Sequence, residues 1–344
     1  MIISKSSRLV SGQRSAWGMV TLSLSASLTL ALLLAPPSVH AAPALNYEVS
    51  ARYSLEGAGK WDFISLDIVR NRLFVTRGDH VDVLNAATGE LVGTIADTAG
   101  VHGVAFAQAL KIGFTSNGKA DSVTVFNLDT LKPLRTVKVS GANPDALLYH
   151  EATQHLYTFN GKTANVSVID AKTFEVVSTI EVGGKPELPA TDGRRLFVNL
   201  EDKSTIAVID MASGKVTANW RLTDCGNPTG LAFDAKQARL FSVCDNQKMI
   251  VTNAKTGKQV AVVPIGLGPD GTAYDETTKT VFTSNGKDGT VTVVQQKDAD
   301  HYQVVATVQT EKGAKTLAYD ATSKRLYLPT VVADKFTVLV VSPK

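Results

Sequence analysis

Seven residues at one repeat position bring unlike chemistry to a single place: Asp62, His102, Asp145, Glu187, Thr229, Asp270 and Lys315. They emerge when seven short runs are aligned on Leu66, Phe106, Tyr149, Thr191, Phe233, Tyr274 and Tyr319, and each is stepped back by four residues. Four carboxylates, an imidazole and an ammonium around one axis could hold a divalent metal ion, with Asp145, Glu187, Asp270 and His102 as ligands. They could equally bind a cationic or polyhydroxylated small molecule. Crowded carboxylates repel one another, which raises at least one pKa and offers a general acid. The same residues would also suit a solvent-filled rim whose turn position tolerates polar side chains.

A ring of this kind needs elements that return to the same axis, and the sequence supplies them as a repeat. In NPTGLAFDAKQARLFSVCD, from Asn227 to Asp245, a Pro-x-Gly turn feeds a short apolar run, a charged turn and a second alternating run, which reads as a hairpin. The pattern recurs at Gly268, Gly313, Asn143 and Lys185, and two worn copies begin at Lys60 and Val101. Pro144, Pro186, Pro228 and Pro269 set a period of 42, 42 and 41 residues. Each period contains two further strand-like runs. One is of the Val-x-Val-Ile-Asp type, as at Val166 to Asp170, and the other follows a Thr-Gly or Ser-Gly turn, as at Lys215 to Leu222.

Four antiparallel strands per repeat of roughly 40 residues predict an all-β, seven-bladed β-propeller. The last repeat stops at Lys344, directly after its third strand, while Tyr47 to Leu55 forms a strand-like run with no local partner. The two ends therefore complete one blade, with the N-terminal strand closing the ring and covering its edge.

The Pro-x-Gly-x-Ala-x-Asp strand, the Arg-Leu-Phe/Tyr-Val strand and the Val-x-Val-Ile-Asp-x-x-Thr-Gly-Lys turn resemble the YVTN-type β-propeller repeat. From about residue 45 to 344 the chain is similar to the YncE-like periplasmic propellers that carry this repeat. The resemblance implies the fold and a periplasmic location, and it implies no particular reaction.

The first 41 residues are read separately. Lys5, Arg8 and Arg14 precede an apolar run from Met19 to Ala35, and Val39-His40-Ala41 offers a small-residue cleavage site, so residues 1–41 are expected to be a secretory signal peptide and 42–344 the propeller domain. No membrane span is expected after cleavage. The chain has 35 Lys and Arg against 32 Asp and Glu, so removing those three cations leaves the remainder balanced. That balance argues against a broad nucleic-acid surface.

Cys225 and Cys244, the only cysteines, flank one hairpin nineteen residues apart. Antiparallel pairing returns both to one edge, so a structural disulfide is expected in an exported protein, with buried or reactive thiols as the alternatives.

The recurrent Asn117-Gly118-Lys119, Asn160-Gly161-Lys162 and Asn285-Gly286-Lys287 are read first as turns in which both Asn and Gly tolerate positive φ. Their lysines would face the ring and could meet an anionic group. Gly266 to Gly271 matches GxGxxG but joins two strands, so it carries no dinucleotide.

The expected function is non-enzymatic binding of a small molecule or a periplasmic partner protein at the channel mouth, by a monomer. The alternative is a metal-dependent, lactonase-like hydrolase or lyase. In it Asp62, Asp145, Glu187 and Asp270 would be ligands or acid/base groups, and His102 a ligand or base.

Overall fold

The computed structural model describes residues 46–344, and the expected signal peptide, 1–41, lies outside them. Seven four-stranded antiparallel sheets are arranged as the blades of a propeller. Their innermost strands are Ile64–Asp67, Val101–Ala107, Pro144–His150, Pro186–Thr191, Pro228–Asp234, Pro269–Asp275 and Ala318–Asp320, for blades 1 to 7.

The seventh blade joins the two ends of the chain, as expected. Its outermost strand is Tyr47–Leu55, paired antiparallel to Lys335–Pro343 from Tyr47 opposite Pro343 to Leu55 opposite Phe336.

The core is divided among the seams between blades. Seven clusters of buried apolar residues lie one at each seam, including the seam between blades 7 and 1, where Tyr327 and Phe336 meet Leu73 and Leu84. The second strand of every blade places an aromatic ring at its centre: Phe74, Phe114, Tyr157, Phe197, Phe241, Phe282 and Tyr327 are all buried. Five of these rings pack on an aromatic of the next blade's first strand, as in Phe241 with Tyr274 at 5.3 Å and Phe282 with Tyr319 at 5.1 Å. Each such pair contributes about 0.5–1.5 kcal/mol beyond its buried area. The tyrosines that recur at the alignment position, Tyr149, Tyr274 and Tyr319, thus pack between blades.

Cys225 and Cys244 are joined in a disulfide with Cα atoms 5.4 Å apart. Pro228 pairs with Cys244 across the hairpin, so the bridge ties the loop entering the blade to the end of its second strand.

One expectation is corrected. In the Asn-Gly-Lys loops neither Asn nor Gly has positive φ; the left-handed residue comes later, at Asp121, Ala164 and Gly289. The asparagines are instead buried braces: Asn285 donates through Nδ2 to the hydroxyls of Thr290 (3.1 Å) and Thr292 (2.9 Å), Asn117 to those of Ser122 and Thr124, and Asn160 to Asn165 Oδ1 and the Ser167 hydroxyl. At Gly118 and Gly286 the glycine that follows leaves room for a close approach, by His102 of the same blade in the first case and by the segment entering the next blade in the second. A Cβ on Gly118 would lie 2.6 Å from His102 Nε2, and one on Gly286 would lie 2.6 Å from Lys315 Cβ.

Candidate functional site at the channel mouth

The seven ring positions share a backbone feature that places them. In blades 2 to 6 the pairing of the first two strands is interrupted just after the strand begins, as between Pro144 and Leu147 or between Pro186 and Pro189. His102, Asp145, Glu187, Thr229 and Asp270 occupy these interruptions, while Asp62 and Lys315 precede the short inner strands of blades 1 and 7. An interrupted ladder re-aims side chains and frees backbone groups.

The freed groups then bind the neighbouring blade. Phe63 N–H donates to His102 O (3.1 Å), Thr229 Oγ1 to Pro269 O (3.1 Å), Gly271 N–H to Lys315 O (2.9 Å) and Thr316 Oγ1 to Asp62 O (2.7 Å). Ser116 Oγ donates to Asp145 O, and Asn199 Nδ2 to Thr229 O (3.0 Å). These bonds fix the ring residues rigidly around the axis.

Five of the seven side chains form one continuous chain of charge. Lys315 Nζ bridges Asp270 Oδ2 (2.8 Å) and Asp62 Oδ1 (3.1 Å), and Asp62 Oδ2 meets His102 Nδ1 at 2.7 Å. Asp145 Oδ1 stands 3.7 Å beyond that imidazole nitrogen. Glu187 belongs to a second group, in which Lys185 Nζ binds both Glu187 Oε1 (2.8 Å) and Glu201. Thr229 lines the same space, but its hydroxyl is committed to Pro269 and so holds two blades together.

All but His102 line a single cavity of about 570 Å³, together with Phe63, Lys185, Glu201, Asp245 and Lys287. A larger groove of about 850 Å³ lies between blades 4 and 5. Its acids Asp202 and Asp224 are about half exposed and each pairs with a lysine, so it lacks the buried charge of the mouth.

Burial and crowding set the protonation of the mouth. Burial drives Asp145 up to about 6, against the charge of His102 and with that of Asp62 adding to the rise. Burial, then the charge of Asp145, pushes Glu187 up to about 8 despite its bond to Lys185. Asp270 is raised by burial, with Lys315 opposing. Asp62 moves the other way: burial works against it, but the bond from His102 and the charge of Lys315 hold it below the usual carboxylate range. For His102 burial alone would lower the pKa, yet the bond to Asp62 and the charge of Asp145 raise it, which favours the imidazolium. One rim therefore holds both an ionised and a readily protonated carboxyl group.

Asp62, His102 and Asp145 could each offer one donor atom within 4.8 Å of the others, a mixed nitrogen and oxygen set suited to a divalent cation. Glu187 and Asp270, expected as further ligands, carry Lys185 and Lys315 instead.

No family model matches the sequence, and no curated protein matches it. Among solved structures, a chain of hydrazine synthase from Kuenenia stuttgartiensis is similar at a TM-score of 0.72 and 19% identity, over 83% of this chain and 96% of that one. A chain of the mitotic checkpoint complex is similar at a TM-score of 0.75 and 15% identity, over 92% of this chain and 99% of that one. The likeness is one of fold alone. The seven-bladed architecture is thus common to proteins of unlike role, and this chain's chemistry has to be argued from its own mouth.

Five cavity side chains lie outside the ring alignment: Phe63, Lys185, Glu201, Asp245 and Lys287. Two had a visible signal. The loop after the second strand begins with Gly118, Gly161 and Gly286 in three blades but with Glu201 and Asp245 in blades 4 and 5, where small residues give way to acids. Of the Asn-Gly-Lys lysines Lys287 reaches the cavity, whereas Arg77, which follows the second strand of blade 1 at the equivalent place, is buried against Asp82 and over the Phe336 ring.

Proposed function

We propose that this protein is an exported, YncE-like β-propeller of the YVTN-repeat kind, acting as a monomer in the periplasm, whose channel mouth binds a small polar ligand without transforming it. The observation that carries this reading is the gathering of six acids and three lysines around one cavity whose walls are fixed by bonds between blades, with the His102 imidazole bonded to Asp62 behind it. A preorganised, partly desolvated polar cavity loses little entropy on binding and strengthens each charged contact. The motif resemblance supports the family and the compartment.

Thermal-shift titration against a panel of small amines, polyols and sugar acids tests it. A compound that raises Tm in proportion to log concentration, and fails to do so with Glu187→Gln, is the expected result. A compound that stabilises the protein equally well after this substitution would locate the site elsewhere and sink the reading.

A second reading rests on Asp62, His102 and Asp145, which could hold a divalent metal ion for a hydrolase or lyase. Metal content by mass spectrometry on protein purified without chelator decides between them. About one equivalent, lost in Asp145→Ala, would favour the metal enzyme; metal-free, folded protein would favour binding.

A further inference from the structure

Two observations at the mouth point to a particular class of ligand. The first is an unanswered charge. Lys315 serves Asp62 and Asp270, and Lys185 serves Glu187 and Glu201, but the Asp145 carboxylate receives no hydrogen bond from any described residue, its nearest cationic group being His102 Nδ1 at 3.7 Å. Its side chain is only 14% exposed, so water cannot fully replace the missing donor. The cavity as a whole carries six acids, Asp62, Asp145, Glu187, Glu201, Asp245 and Asp270, against three lysines.

The second is the surface directly beneath. A smaller cavity of about 180 Å³ is lined by Phe63, Val104, Ala146, Leu148, Leu188 and Leu317 among others. These residues follow the ring positions Asp62, His102, Asp145, Glu187 and Lys315 by one to three places on the same inner segments, so this cavity is the next level of the channel. Phe63 lines both levels. An acidic rim over an apolar shaft is complementary to a molecule with a positive head and an apolar tail.

We propose that the ligand is a primary ammonium compound with an apolar chain, its ammonium on Asp145 and its chain passing Phe63 into the shaft. This rests on the mouth being a ligand site, as argued above. The ammonium supplies three donors to a carboxylate that has none, and each donor bonded to a carboxylate is of the strong, charge-assisted kind. The chain removes apolar surface from water, and the one polar side chain of the shaft lining, Ser65, already donates its hydroxyl to Val104 O (2.9 Å).

Calorimetric titration of the whole protein with ethylammonium, butylammonium and hexylammonium tests the inference, with hexanol and hexanoate as controls. A fully buried methylene is worth up to about fourfold in affinity, so hexylammonium is expected to bind at least about tenfold tighter than ethylammonium. Hexanol and hexanoate are expected to bind at least about tenfold more weakly than hexylammonium, and Asp145→Asn to weaken hexylammonium by about the same factor. Leu188→Asn, which puts an amide into the shaft, should flatten the chain-length series. If a variant fails to fold, the series on the natural protein decides. Equal affinities along the series would overturn the apolar tail while leaving the mouth as a site. Hexanoate binding as tightly as hexylammonium would overturn the positive head. Absence of heat with every amine would overturn the inference outright, and a polyol that bound and was lost in Glu187→Gln would show that the mouth reading survives without it.

Discussion

The closing strand is where the fold should be most vulnerable, and the cost of removing it can be worked residue by residue. Tyr47 is only 4% exposed, packs edge-on against Phe282 with ring centroids 5.2 Å apart, and joins the seam between blades 6 and 7. Val49 joins that seam, while Ala51, Tyr53 and Leu55 pack into the seam between blades 7 and 1. Truncating a buried aromatic to Ala costs about 3–5 kcal/mol, and Tyr47→Ala should fall near the lower end because the strand lies at the outer edge. Among the described residues its hydroxyl is buried without a hydrogen-bond partner, so Tyr47→Phe should be neutral or mildly stabilising. Losing all of 46–56 adds four partly buried side chains at about 1 kcal/mol each and exposes an unpaired edge, for a total of about 6–8 kcal/mol. That is comparable to the whole stability of an ordinary domain. Urea denaturation followed by tryptophan fluorescence should show no cooperative transition for the truncated chain, and a synthetic 46–56 peptide should restore one. A truncated protein with an unchanged midpoint would refute the closure argument.

Other consequences follow from the same contacts. Replacing both Cys225 and Cys244 with Ser frees a loop spanning 19 residues and should cost about 3 kcal/mol, read as a fall in the urea midpoint. An unchanged midpoint would mean the bridge constrains nothing. Gly118→Ala places a methyl group 2.6 Å from His102 Nε2 and 2.9 Å from Asn143 Oδ1, so it should cost about 1–3 kcal/mol and shift the His102 ring resonances in NMR spectra. Unmoved resonances would show that the seam is looser than the distances imply. Stability should fall as pH rises from about 5 to about 8.5. Asp145 and Glu187 have folded pKa values raised to about 6 and about 8, so the folded chain holds more protons than the unfolded one across that window. The raised pKa of His102 contributes stability below its unfolded value that is also lost as pH climbs. Each group contributes a slope of up to about 1.4 kcal/mol per pH unit, and Glu187→Gln should flatten the upper part of the Tm profile. A Tm that rises across this window would contradict the assigned burial of these acids.

The blades were legible because each strand type repeats with its own spacing, so one motif calibrated the next. Ring closure was legible because Tyr47 to Leu55 and the three-strand last repeat each lacked what the other supplied. The ring was found from the spacing of Asp62 to Lys315, but spacing cannot show that Lys185 and Lys315 each clamp two acids, since the Lys315 pairs span three blades, the Lys185 pairs join two segments of blade 4, and both depend on side-chain reach. Nor can it show the bonds of Ser116 and Asn199 to the next blade's carbonyls, because a Ser or Asn late in a strand reads as an ordinary polar position. The Asn-Gly loops misled for a physical reason: the dipeptide that so often marks positive φ here marks a buried amide brace followed by a close approach.

The central claim is that the channel mouth is a binding site built around an under-satisfied carboxylate. A crystal structure of the protein grown with hexylammonium tests it most directly. Density is expected for one molecule, with its nitrogen at hydrogen-bond distance from the Asp145 carboxylate and its chain against Phe63. Density confined to the groove between blades 4 and 5 or to the outer strands, with only solvent at the mouth, would contradict it.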